Sequence, residues 1–144
     1  MLVDALELVL SSNAPLQTML GSAATRTDST TGIYPMLAIG QPTMPYVVFQ
    51  QATGDPLQES MQGTGRLHTG RWRFSCYGTT YRNAKLVAQA VREAMIAFLG
   101  YYETQKVYVE GCWWKMEADD TEPLPKGTLY ATHVDFEINY LDLH

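Results

Sequence analysis

The stretch that decides the fold runs from Arg71 to Leu99, RWRFSCYGTTYRNAKLVAQAVREAMIAFL. Its opening segment, Arg71 to Tyr77, alternates. Trp72, Phe74 and Cys76 fall on one side of an extended chain, and Arg71, Arg73 and Ser75 fall on the other. That period of two marks a strand with one buried face. Gly78 and Thr79 interrupt it, and from Thr80 the period lengthens to that of a helix. Ala84, Val87, Ala88, Val91, Met95 and Phe98 form an apolar stripe, while Lys85, Gln89, Arg92 and Glu93 form the wet face. Thr79 or Thr80 suits the N-cap, and Gly100 suits the stop. A half-buried strand followed at once by an amphipathic helix predicts an α+β domain in which helices cover the sheet.

The flanking segments extend this picture. Pro45 precedes Tyr46-Val47-Val48-Phe49-Gln50, a β-branched and aromatic run that reads as a strand. Residues 54–70, GDPLQESMQGTGRLHTG, contain four glycines and little apolar mass, which predicts a long hairpin loop. Further on, Lys106 to about Glu117 reads as a strand. A turn is expected at Asp119-Asp120-Thr121-Glu122-Pro123, with Pro125 and Gly127 beyond it. The last strand, Thr128 to Leu141, puts Tyr130, Thr132, Val134, Phe136, Ile138 and Tyr140 on one face. At the other end, Leu2, Leu6, Val9 and Leu10 make a helical stripe closed by Ser11-Ser12-Asn13. Pro15 to Leu20 follows as a short helix ended by Gly21. Residues 21–32, GSAATRTDSTTG, lack any hydrophobic period and read as a loop without chemistry. The expectation is one α+β domain over residues 1–144. It has a mainly antiparallel sheet of about four strands, with one long and one or two short helices on one face.

Composition narrows the function classes. The 144 residues are 46% hydrophobic and 11% aromatic but only 17% charged, below the usual value of about 25%. Such a surface suits a subunit packed against others. Ten basic against fifteen acidic side chains give a net charge of −5. That argues against nucleic-acid binding as the main activity, because counterion release needs clustered Lys and Arg. Met1-Leu2-Val3-Asp4 lacks the basic start of an export signal. No apolar run approaches the roughly 20 residues that span a bilayer, so no membrane partner is expected. Cys76 and Cys112 lie in apolar strand segments and read as reduced core thiols.

Chemistry-bearing patterns are few. The histidines are His68, His133 and His144, and no HExxH, CxxC, GxSxG or phosphate-binding loop occurs. A nucleophilic Cys76 would point with Trp72 and Phe74 into the core, where a thiol is inert. A zinc set from Cys76, Cys112, His68 and His133 lacks paired close spacing. Asp119, Asp120 and Glu122 lack the alternate spacing of a calcium loop and read as a solvated turn. No catalytic residue, metal or cofactor is therefore expected. The basic cluster Arg66, His68, Arg71 and Arg73 is either a patch for an acidic partner or DNA, or a ladder. In the ladder, Arg71 and Arg73 answer Asp135 and Glu137 on a neighbouring last strand. Trp113-Trp114 also has two readings. Alternation puts Trp113 with Val107 and Val109 in the core, and Trp114 outside with Tyr108, Glu110 and Met116, as a subunit contact. Alternatively the same chain covers that outer face, or a bulge at Gly111 exchanges the two indoles.

Several ordered motifs resemble the tail completion, or tail terminator, family of long-tailed bacteriophages. They are Ile33-Tyr34-Pro35, Pro45-Tyr46-Val47-Val48-Phe49-Gln50 and Gly54-Asp55-Pro56; then Cys76-Tyr77-Gly78 with Tyr81, Ala84 and Val91-Arg92; then Glu122-Pro123, Gly127, Tyr130 and Asp135-Phe136-Glu137-Ile138-Asn139-Tyr140. The Ser/Thr-rich stretch 22–31 departs from the pattern. The resemblance implies a non-enzymatic virion protein at the head-proximal end of the tail, assembled in the host cytoplasm. It would form a homo-oligomeric ring, hexameric in that family, that caps the major tail tube protein and stops its polymerisation. The ring would then dock the head–tail connector protein, with DNA passing through the lumen without specific binding. Another ring of the neck, a head-closure or connector protein, is the neighbouring alternative; a small enzyme on an α+β scaffold is the remote one. The expected interface residues are Trp114, Tyr108, Met116, Asp55, Arg66, His68, Arg71 and Arg73.

Overall fold

A computed structural model describes residues 2–21, 32–36, 44–59, 66–125 and 127–142. The order of elements is α1 (Leu2–Ser12), α2 (Ala14–Leu20), β1 (Ile33–Pro35), β2 (Tyr46–Glu59), β3 (Arg66–Gly78), α3 (Tyr81–Ile96), β4 (Gly100–Tyr102), β5 (Val107–Leu124) and β6 (Gly127–Asp142). Among the described residues the strands form one six-stranded sheet in the order β1-β2-β3-β6-β5-β4. All neighbours are antiparallel except β1 and β2, which are parallel.

Local signals explain the helices. Asn13 caps α2 by accepting a hydrogen bond from the Leu16 amide at 3.0 Å. Thr80 does the same for α3, accepting from Asn83 at 3.1 Å. Leu2, Leu6 and Leu10 of α1, Leu16 and Leu20 of α2, and Val87, Val91 and Met95 of α3 are buried in one core, in which α3 lies on β3 and β6 and α2 packs on α1 and α3. The sheet side of that core is Val47 and Phe49, Trp72, Phe74 and Cys76, and Val134, Phe136 and Ile138. Register puts Phe49 opposite Phe74 and Phe74 opposite Val134, so the alternation read in Arg71–Tyr77 is the buried face of the central strands.

Four expectations need correction. The sheet has six strands because β1 and β4, each three residues long, pair at its two edges. Such short strands leave no periodic signal. Residues 54–59 and 66–70 are paired strand instead of loop, with Gly54 opposite Gly70 and Asp55 opposite Thr69. β6 supplies the missing reason, since it pairs with β3 as far as Arg66. Gly70 sits against Ile138, and His68 stacks on Tyr140 with ring centroids 5.2 Å apart. Residues 119–123 are likewise strand, opposite Thr128 to Thr132 of β6. The turn-forming side chains are overridden by the ladder and by bonds from α3 described below. Finally, α3 ends at Ile96; Phe98 is buried just after it, and Gly100, at φ 97, opens β4. The loop expected at residues 21–32 lies almost wholly outside the described residues.

Candidate interaction surface

β5 carries the features that point outward, and its register decides where each one faces. Register shifts fall between Val109 and Gly111 and between Trp114 and Met116. Each bulge moves the following side chains to the other face. Val107 and Val109 are buried on the helix-bearing face. After the first bulge, Cys112 lies opposite Ile138 and Trp114 opposite Phe136, on the same helix-bearing face. Trp113 lies opposite Glu137 on the bare face, over Gly111, where an added Cβ would collide with its ring. The two indoles are therefore exchanged relative to simple alternation. Neither is core, with Trp113 48% and Trp114 54% exposed. Tyr108 and Met116, 41% and 40% exposed, lie opposite Leu141 and Asp135 and so share the bare face with Trp113. Gly111 inside a strand was the available signal for a bulge.

Trp114 belongs to a different group. The Arg92 guanidinium of α3 sits 4.7 Å from its ring centroid, a cation–π contact. About two turns toward the start of α3, Lys85 reaches Glu117 at 3.0 Å and Asp119 at 2.8 Å. Tyr81 donates its hydroxyl to Asp119 at 2.9 Å, and Thr132 donates to the other oxygen at 3.1 Å. The polar stripe Tyr81, Lys85, Arg92 thus runs along the β5 positions 119, 117 and 114, pinning the strand to the helix. The hydrogen bond from Lys85 holds the Asp119 carboxyl below the usual range, and the same bond pushes Lys85 up. Each ion pair is partly solvated and contributes about 0.2–1 kcal/mol. Lys85 and Arg92 lie on the helix face that the sequence marks as wet, and their partners lie on a strand distant in the chain.

The basic cluster divides. Arg73 forms a two-pronged bond with Asp135, at 2.8 and 3.1 Å. Arg71 lies with Nε 3.2 Å from Asp135 Oδ2, yet out of line for a hydrogen bond, so that contact is an ion pair only. Both arginines share the one carboxylate, itself only 1% exposed. Glu137 pairs instead with Lys115, at 3.4 Å. The cross-strand ladder is present, with Asp135 as its single acceptor for both arginines. His68 lies half-buried on the opposite, helix-bearing face against Tyr140. Asp55 of β2 lies opposite Thr69, and Arg66 of β3 opposite Glu59, at the far end of the described part of that strand pair. The expected interface residues therefore do not form one patch.

Ser75 and His133 face each other on the bare side, Oγ to Nδ1 2.7 Å, with Asp120 4.0 Å from Nε2. This resembles a triad in composition only. Ser75 is nearly buried in the middle of the sheet, where backbone amides are consumed by the ladder and none is left to stabilise an oxyanion. Burial, and then Arg73, hold His133 below the ordinary histidine value of 6.5. The folded protein thus binds its proton less readily than the unfolded chain does. The associated stability is complete above pH 6.5 and is lost as pH falls below it toward the folded value. Unfolding followed from pH 7.5 to 5 is expected to show this loss, and His133→Gln is expected to flatten it. An unchanged slope in the variant would assign the loss to other groups.

Both thiols are pushed up by burial, Cys112 to about 12. Cys76 is fully buried among the core residues, and Cys112 is partly buried at its margin. Among the described residues, no three His, Cys, Asp or Glu side chains converge as a metal site.

No family model and no curated protein matches this chain. Among solved structures, it is similar to a chain of the virion of a native gene transfer agent particle, with a TM-score of 0.64 and 19% identity. The match covers 96% of this chain and 92% of that one. The order of helices and strands is thus that of a known virion component across almost its whole length, which establishes a likeness of fold.

Proposed function

We propose that this chain is a structural subunit of a phage-like virion, and specifically a ring-forming tail terminator. The observation that carries the reading is the full-length fold likeness to a chain of a gene transfer agent virion. The ordered motifs that resemble the tail completion family point the same way. In this reading the subunits close head to tail into a ring, hexameric as in that family. The ring caps the last layer of tail tube protein and offers its other side to the head connector. The exposed side chains of β5 supply contacts on both sides of the strand: Tyr108, Trp113 and Met116 on the bare face, and Trp114 with Arg92 on the helix face. The net charge of −5 suits a lumen through which DNA slides without sticking.

Deleting the gene from a producing particle system and imaging the lysate tests this directly. Overlong tail tubes and unattached heads are expected, with purified protein restoring joining. Tails of normal length beside unattached heads would instead make it a head-closure ring. Normal joined particles would remove it from the neck altogether.

A further inference from the structure

The outer ridge of α3 is exposed along its length. Arg82, Leu86, Gln89, Glu93 and Ile96 recur at alternating steps of four and three residues, opposite the stripe that enters the core, and all five are exposed. On the other side of the sheet, the bare face is graded along its strands. Asp120 and Glu122 stand opposite Ala131 and Leu129 and make one end acidic, with the Asp120 side chain 71% exposed. In the middle, Arg71, Arg73 and Lys115 meet Asp135 and Glu137, three cations against two carboxylates. Met116 lies beside them, and Trp113 and Tyr108 make the far end aromatic.

Contacts within one subunit fix the level of each ridge residue along the strands. Tyr81 bonds to Asp119, Lys85 to Glu117, and Arg92 lies over Trp114, so α3 runs along β5 from the acidic end toward the aromatic end. Arg82 is therefore level with Asp120, and Leu86 with Met116. Glu93 is level with Arg71, because Trp114 lies opposite Phe136 and Phe136 opposite Trp72. Ile96, one turn further, reaches the level of the Trp113 indole, which lies over Gly111. The lengths agree. Arg82 to Ile96 spans roughly 21 Å of helix. Asp120 to Trp113, whose partners are Ala131 and Glu137 on β6, spans roughly 20 Å of strand.

A rotation about an axis parallel to the strands carries one copy onto the next and leaves every level unchanged. The ridge of one copy then meets the bare face of its neighbour with Arg82 on Asp120, Leu86 on Met116, Glu93 on Arg71 and Ile96 on Trp113. Two positions match in opposite charge and two in apolar character. Packing bare face on bare face instead sets the surplus arginines of the two copies together and leaves both ridges in water.

We infer that the outer ridge of α3 packs on the bare face of β3, β6 and β5 in the next copy, forming the seam of a head-to-tail assembly whose axis lies along the strands. The inference rests on the ring reading and specifies its contact. Each copy uses two different surfaces, the arrangement that closes into a ring when the rotation permits. A ridge about 24 Å long and about 10 Å across covers only roughly 240 Å² a side, well under the ~800 Å² per partner of a standard interface. A single pair of copies therefore separates readily, and closure, which gives every copy two such contacts, holds the ring.

Charge reversal and cross-linking of the full-length protein test it. Arg82→Glu and Asp120→Arg, each with unaltered thermal unfolding of the subunit, are expected to raise the concentration needed for assembly about tenfold, and the double variant to restore it. A double variant no better than either single one would overturn the seam. Ile96→Cys and Trp113→Cys, each in a Cys112→Ser background, are expected to be joined by a short thiol cross-linker when mixed and assembled, and neither is expected to link to itself. Self-linking of Trp113→Cys would show a two-fold contact between bare faces and overturn the seam. Rings that form without linking in the mixture would overturn it while leaving the ring. A protein that stays monomeric under every condition, and on tail ends, would overturn the ring reading and the seam with it.

Discussion

Phe74→Ala is expected to lower the unfolding free energy by about 3–5 kcal/mol, the range for emptying a buried aromatic site. Phe74 is fully buried at the centre of the sheet. Its ring stacks on Phe49 with centroids 6.0 Å apart and meets Phe136 edge-on at 5.8 Å. These three residues come from the adjacent strands β2, β3 and β6, so one truncation loosens the contact that joins them. The helices α1 and α3 close the same core from above, and little freedom remains for collapse into the void. Urea unfolding of the separate subunit is the measurement. A loss below about 1 kcal/mol would mean that the centre of the core lies elsewhere.

Asp135→Ala is expected to cost about 2–4 kcal/mol, with Asp135→Asn recovering part of it. Removing one partner of a buried ion pair commonly costs about 3–5 kcal/mol. Here the carboxylate is buried, but the Arg71 and Arg73 side chains are 40% and 36% exposed, and water takes up part of what they lose. The asparagine keeps the volume and one acceptor but not the charge that serves two guanidiniums. Arg73→Lys should also destabilise, since an ammonium cannot make the two-pronged bond. Thermal unfolding of the four proteins at one pH gives the comparison. If Asp135→Ala costs no more than a surface substitution, about 0.5 kcal/mol, then this pair does not hold β3 to β6.

The parts of the fold legible in the sequence are those with long, one-sided burial. Trp72, Phe74 and Cys76 alternate because one face of β3 is core, and α3 keeps its period because it crosses that face. β1 and β4 were not legible because three residues set no period. The extension of β2 and β3 to Glu59 and Arg66 was hidden by Gly54, Gly70 and Pro56, residues that signal a loop locally but are held in the ladder by β6. Asp119 to Pro123 misled in the same way: Lys85, Tyr81 and Thr132 bind Asp119 from elements far off in the chain, and no local propensity reports a partner of that kind.

For the interaction surface, residue types were legible and faces were not. Tyr108, Trp114 and Met116 are exposed as expected, yet a bulge at Glu110 turns Trp114 toward α3 and brings Trp113 beside Tyr108 and Met116. The ambiguity was visible in Gly111; its resolution needed the register with β6. The Arg71–Arg73 ladder was legible because charge alternation on one strand matched charge alternation on another. That Asp135 alone takes both arginines depends on side-chain reach, which strand pattern does not encode.

The proposed function turns on the closure of copies of this chain into a ring. Native mass measurement of the purified protein over rising concentration, with electron images of the same samples, tests it most directly. Monomers at low concentration are expected to give way to a single closed species of about six copies, seen as rings with an open centre. A monomer at all concentrations that also leaves purified tail-tube ends bare, or a two-fold dimer as the final species, would contradict it.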